Sequence, residues 1–453
     1  MEVVASSVAA VLSSSSAIAI AVVAVLVCSY MYAAWVAPAA TRRRLRCAGF
    51  DGPRPSFPLG NLPEIAAALS SSSRKPGGVA MGGDIHGSVF PYFARWRGAF
   101  GKVLVYWLGT EPFLYVADPE FLKSATAGAL GKSWGKPDVF RRDRMPMFGR
   151  GLVMAEGDDW ARHRHIVAPA FSATNLNHML GLMAETTARM LDEWGGLVAS
   201  GQSVIDVERG VVRNAAEIIA KASFGLETDS AGALVFEKLQ AMQAMLFQPN
   251  RLVGVPLARL LSLRRTYEAW KLGREIDALL LRDALRDEIR DVLPDMLPLD
   301  AAALGRLTKM GWVMSEVLRL YPPSPNVQRQ ALRDVAGIPK GTNMWVDVVA
   351  MHRDPDLWPG HDANEFRPER FARDPVQGGC RHRMGYLPFG FGGRVCVGRN
   401  LTSMEYRVVL AMLLRRFRLS VAPQYRHAPK IMLSLRPSNG IQLQLTPLDP
   451  IYI

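Results

Sequence analysis

The segment Phe389-Gly-Phe-Gly-Gly-Arg-Val-Cys-Val-Gly398 carries the strongest signal in this chain of 453 residues. It places Cys396 in a glycine-rich loop, two residues after Arg394. Glycines lack Cβ and tolerate positive φ, so this backbone can lie flat against a planar ligand. An apolar, helical-looking run follows from Leu401 to Phe417, and its N-terminal N–H groups would stabilise a negative charge on the sulfur. The alternative interpretation is an ordinary glycine-rich loop with a buried free cysteine.

This loop resembles the haem-ligand signature of the cytochrome P-450 monooxygenases, Phe-x-x-Gly-x-Arg-x-Cys-x-Gly. The fixed positions are all present, as Phe389, Gly392, Arg394, Cys396 and Gly398. The resemblance implies haem b (iron protoporphyrin IX) as the cofactor, with Cys396 as the axial ligand of the iron. A thiolate ligand pushes electron density to the iron and favours O–O cleavage. Phe389, Arg394 and Gly398 would contribute to cofactor binding, Arg394 by pairing with a haem propionate.

Composition and charge narrow the classes of partner. The net charge is +13 and the pI about 9.8, which favours anionic membrane surfaces or acidic protein partners. The arginines are scattered and no nucleic-acid motif is found, so we expect no nucleic-acid partner. The four cysteines have no zinc or redox spacing, which argues against a disulfide framework and predicts a reducing compartment around the main domain.

The N-terminus predicts a membrane anchor. Residues 17–36 carry no charge and are long enough to cross a hydrocarbon layer of about 30 Å as a helix. An arginine cluster follows at positions 42, 43, 44 and 46, which predicts a lumenal segment at 1–16 and a cytosolic main domain. A cleaved signal peptide is the competing interpretation. Residues 37–60 are predicted to form a basic, proline-rich hinge, or else an ordinary linker. The hinge resembles that of microsomal members of the family, which implies a single-pass protein of the endoplasmic reticulum membrane.

Residue patterns in the rest of the chain predict a mainly α fold with small antiparallel β-sheets, after an N-terminal transmembrane helix. Apolar residues from Leu176 to Trp194 recur at helical spacing. Residues 101–118 are typical of a β-hairpin, 338–352 of a strand, and 431–445 of a hairpin around Asn439-Gly440. The family resemblance gives this body, residues 61–453, the cytochrome P-450 fold of a haem-thiolate monooxygenase.

Two further motifs concern the haem propionates. Trp160 and Arg164 stand at i, i+4 and share a helix face, so both could reach one propionate. They resemble the Trp-x-x-x-Arg helix of the family, although a surface stack would give the same spacing. Arg329 follows at the place where the family often has a propionate-binding basic residue. Its alternative is a strand-edge arginine that faces water.

The family resemblance implies that a trio of charged residues supports the cysteine loop from behind. Glu316 and Arg319 stand at i, i+3, and Arg370 lies in Phe-Arg-Pro-Glu-Arg-Phe, residues 366–371. The family has Glu-x-x-Arg and Pro-Glu-Arg-Phe in this order, and their charged residues form a buried network. Taken alone, the Glu316/Arg319 pair is more typical of an exposed helix surface. The order of the motifs along the chain is what makes coincidence improbable.

One part of the family pattern is missing. The family's central helix carries Ala/Gly-Gly-x-Asp/Glu-Thr-Thr, whose acid and threonine deliver protons to bound dioxygen. Residues 271–300 are too charged for such a helix, and Ala184-Glu-Thr-Thr lacks the glycine pair and comes too early. Residues 274–281 and 282–289 resemble the runs before and after the helix. We therefore predict a deletion near Leu281–Arg282, an incomplete fold and no identifiable catalytic acid and threonine.

The resemblance implies a function. The chain would use O₂, and electrons from NADPH-cytochrome reductase, to hydroxylate a small lipophilic substrate. Residues 131–172 resemble plant members that oxidise hormones and related lipophiles such as terpenoids, with cytokinin hydroxylase-like and gibberellin-oxidising enzymes the nearest comparisons. The alternative is a non-catalytic, membrane-tethered truncated isoform that lacks the oxygen-activating helix.

Overall fold

The computed structural model describes residues 18–73, 83–224, 233–247, 251–258, 268, 306–360 and 362–448. The predicted junction at Leu281–Arg282, the charged run 271–300 and the segment 1–16 lie outside these residues. The described part is mainly helical with three small β-sheets, which confirms the predicted fold class.

The helices are α1 (Ile18–Cys47), α2 (Leu62–Ser73), α3 (Ile85–Val89), α4 (Pro91–Phe100), α5 (Pro119–Thr126), α6 (Asp138–Asp143), α7 (Met145–Phe148), α8 (Gly157–Val167), α9 (Ala173–Ala199), α10 (Val207–Phe224), α11 (Ala233–Leu246), α12 (Thr308–Leu320), α13 (Val348–His352) and α14 (Arg399–Arg416). The strands are β1 (Val103–Leu108), β2 (Glu111–Val116), β3 (Trp134–Gly135), β4 (Val204–Asp206), β5 (Asn326–Ala331), β6 (Asn343–Asp347), β7 (Phe417–Val421), β8 (Pro429–Ile431), β9 (Leu435–Pro437) and β10 (Gln442–Pro447).

Helix α1 is the one described helix long and apolar enough to cross a membrane. It does not end at Val36, because a π-helical turn at Tyr32–Val36 leads into further α-helix up to Cys47. The basic half of the predicted hinge is therefore helical. Leu45 on its last turns is buried in the main core, and Arg44 pairs with Asp334 at 2.9 Å. The anchor candidate thus continues as a rigid element into the folded body.

The proline-rich half of the predicted hinge is docked on strand β1. The Val105 N–H donates to Asp51 O at 2.9 Å, and the Trp107 N–H donates to Asn61 Oδ1 at 2.9 Å. At Gly52 a Cβ would lie 2.0 Å from the Val105 carbonyl oxygen, so only glycine allows this approach. Residues 51–61 therefore follow the sheet edge and do not form a free linker.

The largest sheet has the order β1-β2-β6-β5-β3. Strands β1 and β2 pair from Val103↔Val116 to Leu108↔Glu111, which confirms the hairpin predicted for residues 101–118. Strand β2 pairs with β6 in parallel, and the sheet's other pairs are antiparallel. This sheet and helix α4 enclose the main core, in which aromatic side chains such as Phe93, Trp96 and Trp107 are almost fully buried.

A second core holds the helix that follows the cysteine loop. Met190 and Trp194 of α9 pack with Leu413 of α14 and Leu445 of β10. The apolar stripe predicted from Leu176 to Trp194 is confirmed as the buried face of α9. Helix α14 is thereby fixed at its far end, and the loop at its N-terminus acquires a defined position.

Two local strand predictions are wrong. Residues 348–352 form helix α13 in place of strand, because the Asp347 carboxylate accepts the Ala350 N–H at 2.9 Å as an N-cap. No hairpin closes around Asn439-Gly440, because β8 pairs with β9, while β10 pairs with β4 and β7. Strand β10 carries Leu445 into the second core, and this burial outweighs the local turn signal.

Candidate cofactor site

The loop 389–398 presents its cysteine to a cavity. The Cys396 side chain is exposed on the wall of a cavity of about 850 Å³, and Phe389 and Gly390 line the same cavity. The Cys396 N–H donates to Phe389 O at 2.9 Å, which closes the loop. Gly390 and Gly392 have φ of 77° and 67°, and a Cβ at either would meet open space. The loop therefore leaves a flat, side-chain-free approach beside the sulfur.

Helix α14 begins directly after this loop. Gly398 is its N-cap, and its carbonyl accepts the Thr402 N–H at 2.9 Å. The free N–H groups of the first turn carry a partial positive charge, which stabilises a thiolate close to them. The sequence placed this helix correctly, since α14 ends at Arg416 beside the predicted limit of Phe417.

Arg394 is anchored on the segment before helix α8. Its Nη2 donates to Glu156 Oε2 at 2.6 Å and its Nη1 to Ala155 O at 2.9 Å. Its guanidinium carbon lies 4.7 Å from the centroid of the Trp160 ring. Arg394 lines the cavity and is held in place from two sides.

Arg329, which is buried, and Lys136, which is half-buried, add two more cations at this wall. The Arg329 guanidinium carbon lies 5.1 Å from the Phe391 ring centroid, and burial lowers the pKa of Arg329 to about 10, with Arg394 contributing. Burial, together with Arg329 and Arg394, lowers the pKa of Lys136 to about 8. The Glu156 carboxylate is the one anion that raises the pKa values of Arg329, Arg394 and Lys136 alike. Its Oε1 accepts the backbone N–H of Lys136 at 2.5 Å. Among the described residues Glu156 forms an ion pair with Arg394 only, so an anionic ligand could pair with Arg329 and Lys136.

Trp160 and Arg164 lie on helix α8, as their spacing predicts, and both contact the loop 389–398. Arg164 Nη1 donates to Val395 O at 3.0 Å, inside the cysteine loop, while Trp160 stacks on Arg394. Both line a smaller, open depression beside the main cavity. The structure therefore brings Trp160, Arg164, Arg329, Phe389, Arg394, Cys396 and Gly398 to one place, around the loop 389–398.

The charged trio lies buried behind this loop. Arg319 Nε and Nη2 donate to the two Glu316 carboxylate oxygens at 2.7 Å each, and both side chains are fully buried. Arg370 Nε lies 3.5 Å from Glu316 Oε1, which also accepts the Arg367 N–H at 2.8 Å. The exposed-surface interpretation of the Glu316/Arg319 pair is therefore wrong. Isolated i, i+3 spacing carries no information on burial, and the packing of residues 352–371 over α12 supplies it.

His352 links this trio to the cysteine loop and was missed by sequence reasoning. Its Nε2 accepts the Leu387 N–H at 2.8 Å, so Nδ1 carries the proton and donates to Arg319 O at 3.2 Å. Arg319 Nη1 in turn donates to His352 O at 2.9 Å. Leu387 stands two residues before Phe389, so one histidine connects α12 with the start of the loop. A lone histidine in an apolar run gave no signal of this role.

The burial of His352 predicts that the stability of the folded protein depends on pH. The ring is fully buried, and burial, aided by Arg319, lowers its pKa to about 3. An unfolded histidine has a pKa near 6.5, so below that pH the unfolded chain takes up a proton that the folded chain refuses. Between about pH 6.5 and 3 the free energy of unfolding therefore falls as pH falls, by about 1.4 kcal/mol per unit from this group. Denaturant unfolding measures the free energy of unfolding at pH 7 and at pH 5. We expect its decrease between these pH values to be about 2 kcal/mol smaller in His352→Asn than in the unmodified protein.

The matched control is His178→Asn, which changes an exposed histidine on α9. It should show the same pH dependence as the unmodified protein. An equal loss of stability in His352→Asn and the unmodified protein would mean that the buried ring does not resist protonation.

The chemistry of this site fits a haem. The cavity offers a thiol beside a glycine-rich surface, and the three cations Arg329, Arg394 and Lys136 on its wall suit the two propionates. Among the described residues no three His, Cys, Asp or Glu side chains are grouped to hold a metal ion. The Cys396 thiol is the type of ligand that holds the iron in haem-thiolate proteins.

Comparisons with known proteins agree with this chemistry. A family model described as Cytochrome P450 matches residues 79–281 and 269–445. The chain is 30% identical to "Cytochrome P450 714C2" of Oryza sativa subsp. japonica, covering 93% of this chain and 96% of the relative. It is 28% identical to "Cytokinin hydroxylase" of Arabidopsis thaliana, covering 91% and 94% of the two chains. The alignment with the first relative spans 505 positions, more than the 453 residues of the chain, so part of that relative faces gaps here.

Proposed function

Because this chain belongs to the cytochrome P450 family, we propose that it hydroxylates a small lipophilic substrate while tethered to a membrane. The chain is a cytochrome P450 monooxygenase by family, and haem b is the family's cofactor. Bound haem supplies the activation of O₂ from which one oxygen atom enters the substrate. The single observation that carries the proposal is the exposed Cys396 sulfur on a glycine surface inside a cavity of about 850 Å³.

The proposed roles of the chain's own residues follow from their contacts. Cys396 holds the iron, and the first turn of α14 stabilises its thiolate. Arg329, Arg394 and Lys136 bind and orient the propionates, with Trp160 stacked on Arg394. Arg164 holds the loop through Val395 O, and the Glu316–Arg319–Arg370 network with His352 keeps the loop's base in place. Phe389 and Gly398 fix the two ends of the loop.

The substrate is proposed to be a plant hormone or a related lipophile such as a terpenoid. Two observations support this choice. One similar protein is named a cytokinin hydroxylase, and apolar side chains such as Leu62, Val89 and Ile431 line the cavity. A mainly apolar pocket with few polar groups is the usual form of a site for lipophilic ligands.

The proposed setting is the endoplasmic reticulum membrane. Residues 17–36 would span it, residues 1–16 would lie in the lumen, and 37–60 would lead to the monooxygenase domain 61–453 in the cytosol. Arginines 42, 43, 44 and 46 on the far flank of the apolar run support this orientation. NADPH-cytochrome reductase is the proposed electron donor, and it would dock on the basic face near Cys396.

A second candidate is a non-catalytic truncated isoform. The two segments matched by the family model overlap at residues 269–281, which end at the predicted Leu281–Arg282 junction. An overlap of this kind, with gaps facing part of the relatives, supports the loss of an internal stretch of the family fold. The chain would then keep its cysteine side and lack the oxygen-activating helix.

Spectroscopy and turnover of the purified full chain separate the two candidates. We expect a thiolate-type Soret band in the carbon monoxide difference spectrum of the reduced protein, and product formation that depends on NADPH and reductase. A folded protein that takes up no haem would exclude the monooxygenase. A normal band without turnover of any lipophile tested would favour the truncated isoform.

A further inference from the structure

The cavity beside Cys396 has a further cation, Arg144, between helices α6 and α7. Its guanidinium carbon lies 4.3 Å from the Phe140 ring centroid and 4.7 Å from that of Phe247 on the turn that ends α11. Its Nη1 donates to Gln328 Oε1 at the long distance of 3.4 Å. Its Nε is shut off from solvent and has no hydrogen-bond partner in the described part of the chain. Two phenyl rings therefore hold a guanidinium on the cavity wall, and among the described residues only Gln328 accepts a hydrogen bond from it.

The neighbouring carboxylate does not neutralise Arg144 by contact. Asp143 is paired with Arg251 at 2.6 Å, and Arg251 also donates to Leu246 O. Burial lowers the pKa of Arg144 to about 10, against an opposing effect of Asp143. Among the residues that the structure describes, no carboxylate forms an ion pair with Arg144, so an anion entering the cavity would gain a strong partner.

Arg144 belongs to a different charge cluster from the proposed propionate site. Arg394 forms an ion pair with Glu156 at 2.6 Å, whereas Asp143, next to Arg144, forms one with Arg251 at 2.6 Å. Lys136 lies between the clusters, since Arg329, Arg394 and Arg144 all lower its pKa. Because the propionates are assigned to Arg329 and Arg394, Arg144 is available to bind another ligand.

We propose that this cavity takes a lipophile that carries a carboxylate, and that Arg144 binds the carboxylate through two parallel hydrogen bonds. The inference rests on the proposed function, since it names the substrate class of the same site. A planar carboxylate matches the guanidinium fork. The rings of Phe140 and Phe247 pre-organise that fork, so little side-chain entropy is lost when the ligand binds.

Equilibrium dialysis of the full chain in nanodiscs tests this assignment with three probes of one skeleton. The probes are adamantanecarboxylate, its methyl ester and adamantylphosphonate, with empty nanodiscs as the blank. We expect the carboxylate to bind at least tenfold more tightly than the ester. Arg144→Gln should remove this preference while the affinity for the ester stays the same. Arg144→Lys keeps the charge without the fork and should retain part of the preference.

Arg142→Gln is the matched control. Arg142 lies two residues away, is exposed and does not line the cavity, and its substitution changes the net charge by the same amount. It should leave the binding of all three probes unchanged. Circular dichroism of each variant shows whether it remains folded.

The outcomes separate this inference from the proposed function. Equal affinity for acid and ester, no binding of any probe, or an unchanged preference in Arg144→Gln would each overturn the carboxylate assignment. Tighter binding of the phosphonate than of the carboxylate would also overturn it. The carbon monoxide spectrum of the same preparation reports separately on the haem-thiolate assignment. A preparation without the thiolate band that still prefers the acid would retain the carboxylate site and lose the proposed function.

Discussion

Cys396→Ala is expected to abolish the thiolate-type Soret band and all turnover while the protein stays folded. Cys396 is exposed on the cavity wall, so removal of its sulfur costs little packing. The hydrogen bond that closes the loop comes from its backbone N–H, which alanine keeps. The thiolate is the electron-donating ligand that favours O–O cleavage, and no other residue in the loop can replace it. The carbon monoxide difference spectrum and NADPH-dependent product formation measure the loss.

Cys47→Ala provides the control for this substitution. Cys47 is likewise exposed but ends helix α1, away from the glycine loop. It should keep the spectrum and the activity of the unmodified protein. A thiolate band that survives in Cys396→Ala would mean that another residue binds the iron, and the assignment of the whole site would then be wrong.

Glu316→Ala is expected to have the second-largest effect, a loss of about 3–5 kcal/mol in the free energy of unfolding. Glu316 is fully buried and accepts two donors of Arg319 and the Arg367 N–H. Its removal leaves the fully buried Arg319 charge without a carboxylate. Most domains have a stability of about 5–15 kcal/mol, so a large fraction of the protein should fail to fold or to retain haem. Denaturant unfolding and the yield of folded protein from membranes measure the effect.

Glu369→Ala serves as the matched control for the buried trio. Glu369 lies in the turn Pro368–Phe371 beside Arg370, and its side chain is exposed. Its loss should change the stability by less than about 0.5 kcal/mol. Equal effects of the two substitutions would contradict a special role for the Glu316 carboxylate.

The parts of the fold that were predictable from sequence share a local signal. The stripe on α9 repeats at helical spacing, and the hairpin β1–β2 closes around Gly109 and Thr110. The loop 389–398 carries five fixed positions within ten residues. Each of these patterns is complete within one segment, so no knowledge of distant packing was needed to interpret it.

The parts that sequence reasoning missed depend on distant segments. Lys136 becomes a site residue only because Arg329 and Arg394 lie across the cavity, some two hundred residues later. His352 is a site residue because it contacts Arg319 and Leu387, which are distant in sequence. Strand β10 pairs with β4 and β7, and not with the segment just before Asn439-Gly440. Buried polar partners of this kind leave no periodic pattern.

The continuity of helix α1 has a mechanical consequence. A 30-residue helix is about 45 Å long, and its last turns join the folded body through the buried Leu45 and an exposed ion pair between Arg44 and Asp334. If the apolar part of this helix lay in a bilayer, any tilt or rotation of the helix would turn the folded body with it. The cavity would then keep a nearly constant orientation relative to the bilayer.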